Sequence, residues 1–408
     1  MTVLRHARVV TPGGVLADGW VSIAGGRIAA VGTGTPPTGE GTHTDLGGAW
    51  LLPGFIDLHV HGGGGHDATS SPDDMAAAVA FHRRHGTTRT LVSLVTAPLD
   101  ALARQLGWVA DLTAVGPSPA GHVLGAHLEG PFLSPARCGA QNTGHLLLPD
   151  PASFAALAAA ARGTLRSVTV APELPGALDL IGEVLAAGAV AAMGHTDAGY
   201  ADAQAAIDAG VTLATHLFNG MRPLHHREPG VIAAALAADL ACEVINDGIH
   251  VHPVITTLVS RVPGRLVLIT DAIDAAGVGD GDYVLGAQEV QVRDGQARLT
   301  TTGSLAGSTL TMDEAVRRAV SDSGLPIETA SAAASGNPAR VLGIDDSCGS
   351  ITSGRDADLV VLADDLGVLR VMAAGAWCDD PGRAQAVATT PISAGDASRS
   401  FLGSTRTV

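Results

Sequence analysis

The chain has 408 residues, 46% of them hydrophobic, which suffices to bury a barrel-sized core with an accessory domain beside it. Its net charge of −16 excludes a general binder of nucleic acid or of anionic membranes, since both need basic surface. No lysine is present and all 24 basic residues are arginine, which excludes a Walker lysine, a Schiff base and a carboxylated lysine bridging two metals.

Residues 1–50 read as short strands joined by tight turns, with VSIAGGRIAAVG predicting a hairpin about Gly25-Gly26. Beyond Leu52-Pro53-Gly54, short apolar runs alternate with Ala-rich stretches of helical character, the rhythm of βα units. The predicted strands are 55–60, 89–95, 122–128, 165–171, 189–193, 211–217, 241–246 and 265–270, the number that closes a (β/α)8 barrel. Ser71 is the N-cap of one helix, which Gly86 stops, and Gly210 ends another. His82 and His85 of the first of these helices are expected to be solvated. EVQVRDGQARLT (289–300) predicts a hairpin about Asp294-Gly295, inserted before a last helix, TMDEAVRRAVSDSG. Residues 345–377 return to strands. The predicted fold class is therefore α/β: a TIM-like (β/α)8 barrel over 53–344, with a small β-sandwich domain formed from both chain ends (1–52 and 345–378). Residues 379–408 are polar and weakly periodic and are expected to form a flexible tail.

Four cysteines (Cys138, Cys242, Cys348, Cys378) show no paired spacing, which suits a reducing compartment. There is neither an apolar signal core nor a run of membrane-spanning length, so a cytoplasmic protein is expected.

The chemistry stands at the strand ends. His59 and His61 are two residues apart on a strand, so both point the same way and can chelate one metal. Glu129, His195, His216 and Asp271 each follow an apolar run, where a barrel gathers its site. A lone histidine in such a place is most often structural; two on consecutive strands facing Glu129 point to metal. With no lysine, Glu129 is the candidate bridge between two ions. Asp271 is placed to act as general base and then to return the proton to a leaving amine.

HLEGPF, MGHTDA, THLFNGM, DGIHV, ITDA and LAGS occur in this order, between PGFIDLHVHG and GRDADLVVLADD. Together they resemble the N-acetylglucosamine-6-phosphate deacetylase family of the amidohydrolase superfamily, of the actinobacterial type with an HxH pair, over roughly residues 1–377. The resemblance implies one or two divalent ions (Zn, Fe, Mn or Co) held by Glu129, His195, His216 and Asp271, with His59 and His61 holding the second. It implies His250 as the group that polarises the acetamide carbonyl and Asp271 as the catalytic carboxylate. Asn219 and Gly220 are implied to contact the sugar phosphate, and Leu305, Ala306, Gly307 and Ser308 to flank the sugar. Arg227 is implied to bind the phosphate of a phosphosugar substrate, reaching a neighbouring subunit's site in a homodimer. Where many relatives have Gly-Ala-His-Asn, this chain has Gly139-Ala140-Gln141-Asn142. Gln141, beside Ala140, is expected to hydrogen-bond a sugar hydroxyl, and Cys138 lies on the same loop over the site. The competing readings are a related amidohydrolase acting on another N-acyl amino sugar or N-acyl amino acid, and a non-catalytic scaffold that would have lost its ligands.

Overall fold

The computed structural model describes residues 1–36, 41–118, 121–378 and 389–391. Eight parallel strands form the barrel: Phe55–Val60, Thr87–Val95, His122–Glu129, Leu165–Val170, Val190–Met193, Leu213–Ala214, Ala241–Ile245 and Leu266–Ile269. They are hydrogen-bonded in chain order. Just past the last strand, Asp271 N donates to His59 O and His61 N to Ala272 O, both at 2.8 Å, bringing the two edges together. Strands such as Phe55–Val60 and Thr87–Val95 are buried at every residue, as parallel strands are when helices cover one face and barrel packing the other. The sixth strand is shorter than the expected 211–217, because the backbone turns left-handed at His216 and leaves the ladder.

The helix Pro72–Arg84 begins at Ser71, whose Oγ accepts from Asp74 N at 3.0 Å, and the chain turns at Gly86 with φ 90°. His82 is not solvated as expected. It lies on the apolar stripe with Met75, Ala78, Val79 and Phe81, is 1% exposed, and reaches Gly62 O from Nε2 at 2.8 Å. His85 pairs with Asp313 at 3.1 Å.

The expected hairpin is part of a three-stranded sheet, Gly281–Leu285, Gln288–Arg293 and Gln296–Leu299, with its own core of Leu285, Val290, Val292 and Leu299. The helix Met312–Ser321 is not the last. Ile327–Ser331, a π-helical turn over Ala332–Gly336 and Asn337–Val341 follow it. Gly336 and Pro338 read as breakers, yet the proline occupies the first turn of the final segment, where its missing N–H costs nothing.

Strands Thr2–Thr11, Gly14–Ala24, Arg27–Thr33, Thr42–Asp45 and Trp50–Pro53 join Leu359–Leu362, Val368–Ala373 and Ala376–Trp377 in one sheet drawn from both chain ends. The long first strand pairs with Gly14–Ala24 on one side; on the other it pairs with Thr42–Asp45 and then with Trp50–Leu51. Leu4, Val9, Val21, Ile28, Leu51 and Leu359 form its separate core. Of the tail expected over 379–408, Thr389–Pro391 pairs antiparallel with Thr42–Thr44, and the remainder lies outside the described residues. Among the described residues, no helix is long and apolar enough to cross a membrane.

Candidate metal centre and active site

Polar side chains converge where the barrel strands end. His59 and His61 leave the first strand with their Nε2 atoms 3.1 Å apart. Glu129 closes the third strand, and its Oε1 lies 3.0 Å from His195 Nε2, 3.1 Å from His216 Nε2 and 3.4 Å from His59 Nε2. Its Oε2 is 3.4 Å from His61 Nε2. His195 and His216 bring their Nε2 atoms within 3.0 Å of each other. Asp271 Oδ1 is 3.1 Å from His61 Nε2 and 3.5 Å from His59 Nε2. Two ligand groups result, His59–His61–Glu129 and Glu129–His195–His216, with Glu129 in both.

These residues fit a divalent ion. Donors held tetrahedrally at about 2.0–2.1 Å from a metal sit about 3.3 Å from one another, close to the spacing observed. Four imidazole nitrogens turned toward one carboxylate present their lone pairs together, the donor set a divalent cation takes. The backbone is strained to make the set, since His195, His216 and Asp271 take φ of 46°, 28° and 50°. Left-handed backbone costs a non-glycine residue about 1–3 kcal/mol, and such strain concentrates at functional sites. Gly220 is required beside them: at φ 58°, a Cβ there would lie 2.8 Å from His195 Nδ1.

A second layer orients the ligands. His61 Nδ1 reaches Ser93 O at 3.2 Å and His195 Nδ1 reaches Arg137 O at 2.9 Å. Arg137 is itself pinned by Asp197, the acid of the MGHTDA motif, at 2.8 Å. Gln141 bonds the protein through its amide: Nε2 donates to Glu129 Oε2 and Oε1 accepts from Thr96 N, both at 2.7 Å. These bonds grip a ligand and leave the amide's second N–H for the expected sugar hydroxyl, in the cavity that Gln141 lines. Buried Asp57 accepts from His59 N and Thr270 N and bonds the Thr270 hydroxyl, and burial pushes its carboxyl up to about 6.

The electrostatics follow from burial and mutual charge. Burial raises the Glu129 carboxyl, but the His59 charge and the bonds from His195 and His216 hold it well below the usual range. Burial likewise raises Asp271, yet His59 and His61 bring it down to about 2, so it stands ionised. Burial lowers the His61 imidazole, and Asp271 and Glu129 outweigh that and raise it to about 9. His250 is paired with Asp247, Nδ1 to Oδ2 at 2.6 Å; burial lowers its pKa, and the Asp247 bond and charge raise it above the ordinary value.

A cavity of about 280 Å³ opens over this centre. His61, Glu129, His195, His216, His250, Asp271, Ala140, Gln141, Asn219, Gly220, Leu305 and Gly307 line it. Ala306 and Ser308 do not: Ala306 is buried in the hairpin core, and Ser308 donates to Thr270 O at 2.6 Å and, through its backbone N, to Asp271 O at 2.7 Å. Cys138 lies one residue outside the lining, next to Gly139, and is half-buried. Arg227 is exposed, outside the cavity of its own chain, with Nη1 2.8 Å from His226 Nε2. Leu285 and Ser304 line the cavity without any sequence signal that marked them, and among the described residues no arginine lines it.

A profile of the amidohydrolase family matches residues 50–378. N-acetylgalactosamine-6-phosphate deacetylase of Escherichia coli O157:H7 is 40% identical over 376 residues, covering 91% of this chain and 98% of that protein. N-acetylglucosamine-6-phosphate deacetylase of Bacillus subtilis is 37% identical, covering 91% and 96%. The solved structure of a mutant N-acetyl-D-glucosamine-6-phosphate deacetylase from Mycobacterium smegmatis, in complex with N-acetyl-D-glucosamine 6-phosphate, superposes with a TM-score of 0.88 at 44% identity, over 92% of this chain and 99% of that one. With the ligand groups, the strained strand ends and the cavity they enclose, these similarities place the chain in the amidohydrolase family, among the N-acetylglucosamine-6-phosphate deacetylases.

Proposed function

We propose that the chain hydrolyses N-acetyl-D-glucosamine 6-phosphate to D-glucosamine 6-phosphate and acetate, as a cytoplasmic enzyme of amino-sugar metabolism and cell-wall recycling. The observation that carries this reading is the convergence of Asp271, His250 and the ligands His61, His195 and His216 on one 280 Å³ cavity, in a chain so similar to phosphosugar deacetylases. A non-catalytic scaffold would not keep the ligands and the acid–base group together under backbone strain.

An acetamide resists hydrolysis because its carbonyl is weakly electrophilic and its amine leaves poorly. The residues that would hold the ion or ions are His59, His61, Glu129, His195, His216 and Asp271, and their imidazole and carboxylate donors suit zinc, iron, manganese or cobalt. When bound, such an ion polarises the carbonyl and brings the pKa of water toward about 7. Asp271, ionised at neutral pH, takes a proton from the attacking water and passes it to the amine nitrogen as the C–N bond breaks. His250 donates Nδ1–H to Asp247, and in the cationic form that this carboxylate favours it also carries a hydrogen on Nε2, the donor toward the acetamide oxygen, where negative charge develops. Asn219 and Gly220 offer polar contacts to the sugar phosphate, while Leu305 and Gly307 flank the ring.

The phosphate needs a cation, and among the described residues no arginine lines the cavity. Arg227, exposed on the barrel rim, suits a homodimer in which it serves the partner's cavity.

The test is acetate release from N-acetylglucosamine 6-phosphate, its C4 epimer N-acetylgalactosamine 6-phosphate and unphosphorylated N-acetylglucosamine, with metal content measured on the same sample. Activity confined to the first supports the reading. Preference for the galacto epimer, after which the Escherichia coli O157:H7 relative is named, moves the assignment to that sugar. Equal activity with and without the phosphate, or none in metal-loaded protein, sinks it.

A further inference from the structure

We infer that Glu243 is a positioning residue of the metal centre, orienting His59 and tying the two ligand groups together through one carboxylate oxygen. The inference rests on the reading that the centre holds divalent ions. Glu243 belongs to the seventh barrel strand, Ala241–Ile245, and is 2% exposed. Its Oε2 lies 3.4 Å from His59 Nδ1 and 3.2 Å from the backbone N of His216. No arginine pairs with it among the described residues; its one ion-pair contact is His59.

The chemistry of an imidazole ligand makes this contact consequential. His59 turns Nε2 toward Glu129, Asp271 and His61, so Nδ1 must carry the hydrogen and needs an acceptor. Glu243 is the acceptor that the described residues supply. A carboxylate behind a metal-bound histidine fixes its tautomer and ring plane and makes the imidazole a stronger ligand. The other histidines are held differently. His61 and His195 donate to backbone carbonyls, those of Ser93 and Arg137, and His216 Nδ1 is buried with no partner. His59 is therefore the one ligand histidine oriented by an acidic side chain.

The same oxygen also holds the strand end that carries His216. His59 belongs to one ligand group and His216 to the other. Glu243 thus spans both from below, on the side away from the substrate cavity, whose lining does not include it. It touches no reacting atom, so its effect passes through the ligands.

The experiment is zinc titration of chelator-stripped protein against a chromophoric chelator. It is run on the natural chain and on Glu243→Gln, His59→Ala and the double variant, with thermal melting of each metal-free protein. Glutamine keeps the shape and loses the charge. The expected result is a loss of roughly 10–100-fold in affinity for at least one zinc in Glu243→Gln, with metal-free melting unchanged. In the His59→Ala background, the same substitution is expected to change zinc affinity little, because the His59 contact is gone and the glutamine oxygen still accepts from His216 N. Zinc bound as tightly by Glu243→Gln as by the natural chain overturns the inference, and so does a full additive loss in the double variant. A natural chain that binds no zinc would instead remove the metal reading on which the inference stands.

Discussion

Asp271 and His250 divide the proton chemistry between them, and each predicts its own signature. Asp271→Asn keeps the shape and removes the proton acceptor. Its kcat per bound zinc is expected to fall by roughly 10²–10⁴ in zinc-loaded protein, measured by acetate release and elemental analysis on the same sample. His250 is held above its ordinary pKa by Asp247, so its donor form is present at low pH and is lost as pH rises through that raised value. Asp247→Asn removes the cause, and the alkaline limb of the kcat–pH profile is expected to move toward acid, about tenfold in activity at high pH for each pK unit lost. Superimposable limbs would show that His250 does not act as a cation. The ligands themselves were legible in the sequence because each follows an apolar run, a relation local to the chain. Asp247 sits three residues from His250 and could have been read from DGIH, but Glu243 meets His59 across 184 positions, a separation that no local pattern reveals. Gln141 was legible as a loop residue over the site, but its grip on Glu129 and Thr96 was not, because a glutamine amide bonds whatever faces it.

At the level of elements, strands were read more faithfully than helices. A strand buried on both faces is a short apolar run bounded by turns, and all eight barrel strands carry that mark. The Ala-rich stretch 327–341 carries no polar stripe to set a helical period, and its Gly336 and Pro338 hide the helical turns on either side of the π-helical segment. His82 was misread for a related reason: with Arg83 and Arg84 beside it, the local composition looks exposed, whereas the helix turns only the arginines outward. Its burial has a measurable consequence. Burial pushes the His82 imidazole down to about 4, against the bond to Gly62 O, so it folds uncharged. The unfolded chain takes the proton near pH 6.5, which means that this contribution is complete above that pH and is lost as pH falls toward 4. The size is on the order of 3 kcal/mol. In urea titrations of metal-free protein at pH 7 and pH 5, His82→Gln is expected to flatten the acid fall in stability relative to the natural chain; an equal fall in both would refute it. The contact is also close to the centre, because Gly62 follows His61 and a Cβ on Gly63 would lie 2.6 Å from His82 Nε2.

For the whole molecule, the sheet built from both chain ends was legible because strand patterns appear at 1–50 and 345–377 and neither set can bury its apolar face alone. What fastens that sheet to the barrel was not. Arg89, on the second barrel strand, reaches Asp358 and Asp356 at 2.7 Å each, with Arg89 and Asp358 both buried. Asp358→Ala leaves the buried Arg89 guanidinium with Asp356 alone and is expected to cost about 2–3 kcal/mol of unfolding free energy in urea titrations, more than an exposed pair such as Arg162–Asp111 would. A second property of the whole molecule concerns Arg227. If it serves the partner's cavity, Arg227→Ala and Asp271→Asn each disable a homodimer, the first by weakening phosphate binding and the second by stopping proton transfer. Mixing the two and allowing subunits to exchange creates heterodimers in which one cavity has an intact Asp271 from its own subunit and an intact Arg227 from the partner. Activity is then expected to reappear, to about a quarter of the natural enzyme's after random exchange, since half the dimers are mixed and each carries one complete site. An arginine acting within its own chain gives the opposite outcome, because every cavity would then lack one of the two groups and mixing would restore nothing. That no arginine among the described residues lines the cavity, set against a rim arginine turned to solvent, is what favours the first result.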